Sequence, residues 1–157
     1  MPCAAEPQPA RVEIATSGGY GWQNHVGNGP SVGVLYAHRI ASDPIWLTIR
    51  PSATIDPDQG GLKGSTWALG LGLRYTFGDL GRVHLAAGLE FVPRYYNEPG
   101  LGIDLQLPVS IYVPVVSPVA FVATAAPAIG FSRLGDERSH TDVQRRFEAT
   151  AGIAARF

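Results

Sequence analysis

The chain has 157 residues, which suits one domain and leaves little room for a second. Its formal net charge is −1, from 12 Lys and Arg against 13 Asp and Glu, which argues against nucleic acid as the main partner. Apolar residues make up 45%, too many for disorder, yet no run approaches the ~20 uninterrupted apolar residues of a membrane-crossing helix. The single cysteine, Cys3, excludes an intrachain disulfide and a Cys-based zinc site.

Residues 1–10 read as a flexible lead-in, with 11–157 as a single β-barrel domain. Cys3-Ala4-Ala5 is similar to the small-residue end of a signal peptide, although no charged n-region or apolar h-region stands before it. From residue 12 onward the hydrophobic pattern has period two, the signature of strands. The first run is Val12, Ile14, Thr16, Gly18, Tyr20 and Trp22. Val32, Val34 and Tyr36 give the second, and Ile45, Leu47 and Ile49 the third. The fourth is the clearest: Trp67, Leu69, Leu71, Leu73, Tyr75 and Phe77 alternate with Ala68, Gly70, Gly72, Arg74 and Thr76. Val83, Leu85, Ala87, Leu89 and Phe91 form the fifth. The sixth runs unbroken from Leu101 to Val113, the seventh from Val119 to Phe131, and the eighth from Val143 to Phe157.

These are eight strands of about ten residues or more, the ~9–11 needed to cross a bilayer at a tilt, against ~5–6 in ordinary globular sheets. Longer links (Gln23–Gly29, Pro57–Lys63, Tyr96–Gly100, Leu134–Asp142) alternate with shorter ones at residues 41–43, 78–81 and 116–117. That alternation fits a membrane barrel with long loops on one side and tight turns on the other. The expected fold is all-β, an eight-stranded antiparallel up-and-down transmembrane β-barrel.

The small-residue face carries Glu13, Arg39, Arg50, Arg74, Glu90, Arg94, Asp104, Arg146, Glu148 and Arg156 among Gly, Ala, Ser and Thr. In a narrow barrel such a face belongs inside, where small residues make room and Arg, Glu and Asp pair into a ladder. The interior charge network is therefore assigned to Arg50, Arg74, Glu90, Arg94, Asp104, Arg146, Glu148 and Arg156. Tyr20, Trp22, Trp67, Tyr95, Phe131 and Phe147 fall near the loop ends, and Tyr36, Tyr75, Phe77, Phe121 and Phe157 near the turn ends. Two aromatic girdles around an aliphatic band are what the two membrane interfaces select. Pro51, Pro93, Pro108, Pro114 and Pro127 lie within or at the ends of these strands. Because proline lacks the ladder N–H and a closed barrel has no edge, some of them are expected to mark bulges.

The terminal Phe157, with Ala155, Ile153, Ala151, Ala149 and Phe147 at alternate positions before it, resembles the C-terminal targeting signal of bacterial outer-membrane proteins. From about residue 11 onward the chain resembles the small eight-stranded class typified by the OmpA transmembrane domain and OmpX. That resemblance implies an outer-membrane location with both termini periplasmic. It implies Phe147, Ile153 and Phe157 as the signal read by the barrel-assembly machinery. It also implies lipid bilayer and lipopolysaccharide as surroundings, and an extracellular or envelope protein as a possible partner.

Candidate chemistry is sparse. His25 and His140 lie in loops, and Asp136, Glu137, Arg138 and His140 are the contact candidates of the last one. A Ser/His/Asp set assembled there is outweighed by the plain alternative of a solvated polar loop. The His-x-Ser motif of lipid A deacylases is absent, and the charged inner face argues against the apolar interior of the palmitoyltransferases. Asp56-Pro57-Asp58-Gln59-Gly60-Gly61 lacks the rest of a calcium-loop pattern. The expectation is a structural or interaction role with no catalytic residue, cofactor or metal. The alternatives are an outer-membrane enzyme modifying lipid A or phospholipid, and a soluble lipocalin-like barrel with the apolar face inward.

Overall fold

The computed structural model describes residues 10–23, 28–40, 44–57, 61–80, 83–97, 100–134 and 141–157. The contact candidates Asp136, Glu137, Arg138 and His140, together with His25, lie outside them, as do residues 1–9. Nine strands are described: β1 (Val12–Gln23), β2 (Gly29–Arg39), β3 (Ile45–Asp56), β4 (Gly61–Leu80), β5 (Val83–Tyr96), β6 (Gly100–Gln106), β7 (Val109–Val116), β8 (Val119–Leu134) and β9 (Thr141–Arg156). All pairings are antiparallel, between chain neighbours except where β5 also pairs with β7 and β6 with β8, and β1 pairs with β9, so the sheet closes. β6 and β7 lie end to end between β5 and β8, and the result is an eight-strand barrel, with no helix among the described residues.

Register sets the shape. Paired residues lead from Gln23 to Arg146, Ala128, Gln106, Glu90, Gly72, Thr48 and Ala37, and return to β1 at Glu13, ten residues from the start. With a rise of ~3.3 Å per residue and strands ~4.7 Å apart, that stagger tilts the strands by about 40°. The value falls inside the range of outer-membrane barrels.

The sixth predicted strand is split, and the prolines explain how. Leu107 N donates to Pro127 O, and Gly88 N donates to Pro108 O, both at 2.9 Å. The reciprocal bonds need an N–H that Pro127 and Pro108 do not have. The ladder therefore skips Leu107 and Pro108 without changing register on either side. Pairing is also skipped between β2 and β3 beside Pro51, and between β4 and β5 beside Pro93. Register shifts occur instead at Thr54/Asp56, Phe77/Leu80 and Pro114/Val116, close to strand ends. Of the five prolines only Pro114 borders a bulge. The others are accommodated by omitting a bond, which is the cheaper solution where moving the register would turn every following side chain to the wrong face.

Strand limits differ in detail. Tyr96, expected in a link, closes β5 with its side chain inward and 3% exposed. β4 continues through Gly78 to Leu80, and β9 begins at Thr141.

Candidate functional site: a layered polar interior

The face assignment decides what the barrel can do. Leu71, Leu73, Leu89, Ile103, Leu105 and Ile111 point outward and are exposed. Glu13, Arg74, Glu90, Arg94, Asp104 and Arg146 point inward and are buried. A soluble ligand-holding barrel has the opposite arrangement, which rules out the lipocalin-like alternative.

Polar side chains project into the interior in three layers, stacked roughly 10 Å apart along the axis. The layer nearest the turns centres on Glu13 of β1, which is fully buried. Its two carboxylate oxygens accept from Arg74 Nη1 and Nη2 at 2.8 and 2.9 Å, a bidentate pair reaching over from β4. Arg156 Nε donates to Glu13 Oε2 at 2.7 Å, and Tyr112 OH to Glu13 Oε1 at 3.0 Å. Arg156 lies 4.4 Å from the centre of the Tyr112 ring, and Arg74 lies 5.3 Å from that of Trp46.

In the middle layer Arg50 of β3 crosses the lumen. It reaches Glu90 Oε2 of β5 at 2.9 Å, Gln106 Oε1 of β6 at 2.8 Å and Glu148 Oε2 of β9 at 3.3 Å. In the layer nearest the loops Arg94 Nε donates to Asp104 Oδ2 at 2.5 Å, and Arg146 Nε lies 3.2 Å from the same oxygen. Arg146 Nη2 also donates to the Tyr96 hydroxyl, with its guanidinium carbon 5.6 Å from that ring's centre.

Formal charges do not balance within a layer. Among the contacts just described, two arginines face one carboxylate at each end, and one arginine faces two in the middle. Uncharged groups compensate in kind. Ring faces of Trp46, Tyr112 and Tyr96, which attract cations, sit in the two positive layers. The Gln106 amide, with a donor to offer Glu148 at 3.4 Å, sits in the negative one.

Glycines make the room. A Cβ on Gly70 would lie 2.7 Å from Glu90 Oε2, and one on Gly130 would collide with Asp104 Oδ1. A cavity of about 10 Å³ remains near the loop end, bordered by Thr54, Arg94, Arg146 and Glu148, room for about one water. Among the described residues no group of three or more His, Cys, Asp and Glu could hold a metal ion.

All eight residues assigned to the interior network are thus brought together on the inner face, divided among three clusters. Arg39 lies on the same face at the turn end of β2. Sequence reasoning left Trp46, Tyr96, Gln106, Tyr112 and Gln144 out of the network. The signal was available: Trp46, Tyr96, Gln106 and Gln144 share parity with an inward charge on their own strands and Tyr112 with the inward Ser110, and a bulky residue on the small-residue face has to be lumen filler. Phe147, Ile153 and Phe157 all point outward and are exposed.

No family model matches the chain, and no curated relative does. Solved structures do. Neisserial surface protein A is similar at 14% identity and a TM-score of 0.66, over 93% of this chain and 97% of that one. A de novo designed transmembrane β-barrel is similar at 11% identity and 0.60, over 97% and 99%. Ail, the attachment invasion locus protein of Yersinia pestis, is similar at 10% identity and 0.51, over 94% and 97%. At such identities the likeness is one of fold, and it includes a designed sequence with no ancestry to share. What this chain has in common with all three is the small transmembrane β-barrel.

Proposed function

We propose that the chain is an integral protein of a bacterial outer membrane, with a structural or surface-recognition role, its termini periplasmic and its interior closed to solutes by the three polar layers. One observation carries the membrane reading. On β4, β8 and β9 outward aromatics recur ten residues apart: Trp67 and Phe77, Phe121 and Phe131, Phe147 and Phe157. Ten residues at ~3.3 Å, tilted by about 40°, span roughly 25 Å of height, the thickness of the apolar band of an outer-membrane barrel. Outward aliphatic side chains and Pro127 fill the interval on β8 and β9, and Leu69, Leu71 and Leu73 fill it on β4 down to Tyr75, which joins Phe77 in the lower girdle.

The role at the surface follows by elimination and by likeness. Side chains occupy the lumen, so the parts left to meet partners are the loops and the rim. Two of the similar proteins are described as a surface protein and as an attachment protein. Asp136, Glu137, Arg138 and His140 are the contact residues of this reading, and Phe147, Ile153 and Phe157 its insertion signal.

Folding in detergent or liposomes, compared with plain buffer, tests the membrane reading by circular dichroism and by the shifted gel band of unheated sample. Strand signal and a shifted band only with amphiphile are expected. A dispersed fold in buffer alone would refute it. An epitope inserted beside Glu137 and probed on intact cells tests the sidedness. Labelling without permeabilisation is expected, and labelling only after it would reverse the orientation.

A further inference from the structure

Among outward-facing strand residues with described side chains, the charged ones are Arg133 of β8 and Arg145 of β9. Both are exposed, both are cationic, and they stand on neighbouring strands in the loop half of the barrel. Their placement repeats. Arg133 is two residues beyond Phe131, and Arg145 two residues beyond Phe147, so each guanidinium leaves the same face just past an exposed aromatic ring. Phe147 in turn packs against Trp22, with ring centroids 5.7 Å apart. Arg145 therefore emerges on the loop side of an aromatic pair of the upper girdle, beside Ile129 of β8 and within the girdle's own height.

An outward arginine is costly at the bilayer midplane and tolerable at the interface, where its stem covers apolar surface and its head reaches polar groups. What those polar groups are follows from charge. A guanidinium presents planar paired donors that fit phosphate oxygens bidentately. Arg133 is paired with Thr141, and Arg145 lies four residues further along the same strand. The two Cα atoms are thus roughly 14 Å apart, with Arg145 the deeper of the two.

We infer that Arg133 and Arg145 form a docking site on the β8–β9 outer face for the phosphate-bearing headgroup of an outer-leaflet glycolipid. This rests on the orientation proposed above, which turns the loop end outward. The occupant is a lipid and not a free anion, because Arg145 stands among outward apolar side chains, with Ile129 beside it and Phe131 and Val143 on its loop side, where acyl chains run. Leu101, paired with Arg133, and Ile129, paired with Arg145, extend the same face as apolar surface for those chains.

The test is native mass spectrometry of the folded protein released from micelles containing bisphosphorylated lipid A, chemically dephosphorylated lipid A, or inorganic phosphate alone. The variants are Arg133→Gln/Arg145→Gln and, as a charge control at the turn end, Arg11→Gln. Wild type and Arg11→Gln are expected to retain lipid A. Retention should fall at least fivefold in the double variant, and equally when the phosphates are removed. A double variant that folds, as its unheated gel band reports, and still retains wild-type amounts overturns the site. Equal retention of dephosphorylated lipid overturns the phosphate chemistry. Displacement of lipid A by millimolar phosphate overturns the choice of a lipid occupant. Because the binding is measured in micelles, its failure is separate from a failure of the cellular orientation, which the epitope reports.

Discussion

Glu13 is the side chain on which the turn-end layer depends. Its carboxylate is shared by Arg74 from β4, Arg156 from β9 and the Tyr112 hydroxyl from β7, with Glu13 itself on β1. One residue thereby ties together opposite walls and the β1–β9 seam that closes the barrel. Glu13→Ala leaves the buried Arg74 and the half-buried Arg156 facing each other without an anion, and removing one partner of a buried pair typically costs about 3–5 kcal/mol. Urea titration in micelles is expected to show a loss of that order, and a change below ~1 kcal/mol would mean that water replaces the carboxylate. Tyr112→Phe removes only a hydroxyl that donates to Glu13 and accepts from Arg74 at 2.6 Å. Its expected loss is smaller, about 1–3 kcal/mol. The two substitutions share partners, so the double variant should lose less than the sum of the singles. Strict additivity would show that the hydroxyl and the carboxylate act independently.

At the scale of the strand, the period-two pattern made most of the architecture legible. Each stave buries one face against a charged lumen and turns the other to lipid, so large apolar and small or charged residues alternate over the full height. The pattern could not reveal the break at Leu107 and Pro108, because alternation runs through it undisturbed: Leu105, Leu107 and Val109 all point outward. Only the missing amides report it. The inner aromatics escaped for a related reason. A network assigned from charge alone leaves out Trp46 and Tyr112, which the alternation already places on the inner face, and Tyr96 falls in a link. Their place is fixed by parity with Arg50, Arg94 and Ser110. The skipped ladder makes its own prediction. Pro127→Ala supplies an N–H opposite Leu107 O while leaving the outward position apolar. One added backbone bond should stabilise the barrel by about 0.5–1.5 kcal/mol and slow amide exchange at Leu107. Unchanged exchange at Leu107 would mean that the gap has another cause than the proline.

The whole molecule is a cylinder whose height is set by the same numbers that set its tilt. A ten-residue stagger over eight strands inclines the chain by about 40°, and ten residues between outward aromatics at that inclination give roughly 25 Å. Stagger and girdle spacing are independent features of the sequence, one carried by hydrogen-bond register and the other by where Trp67, Phe77, Phe121, Phe131, Phe147 and Phe157 fall. Combined, they give one thickness, and it has a consequence for folding. The bilayer that matches this barrel is thinner than the ~30 Å average, and mismatch costs fractions of a kcal/mol per Å. Refolding from urea into phosphatidylcholine vesicles of increasing chain length should be most complete where the hydrocarbon is near 25 Å and decline as it thickens. The shifted band of unheated sample reports the yield. Moving one girdle should move the optimum. Replacing Phe121, Phe77 and Phe157 by Leu reduces the lower aromatic boundary to Tyr36 and Tyr75 without altering the charged lumen. The barrel should still fold, with a weaker preference among thicknesses. A yield that rises steadily with chain length in wild type would contradict the 25 Å band, and an unchanged optimum in the triple Leu variant would show that aliphatic length alone, and not the aromatic rings, sets the match.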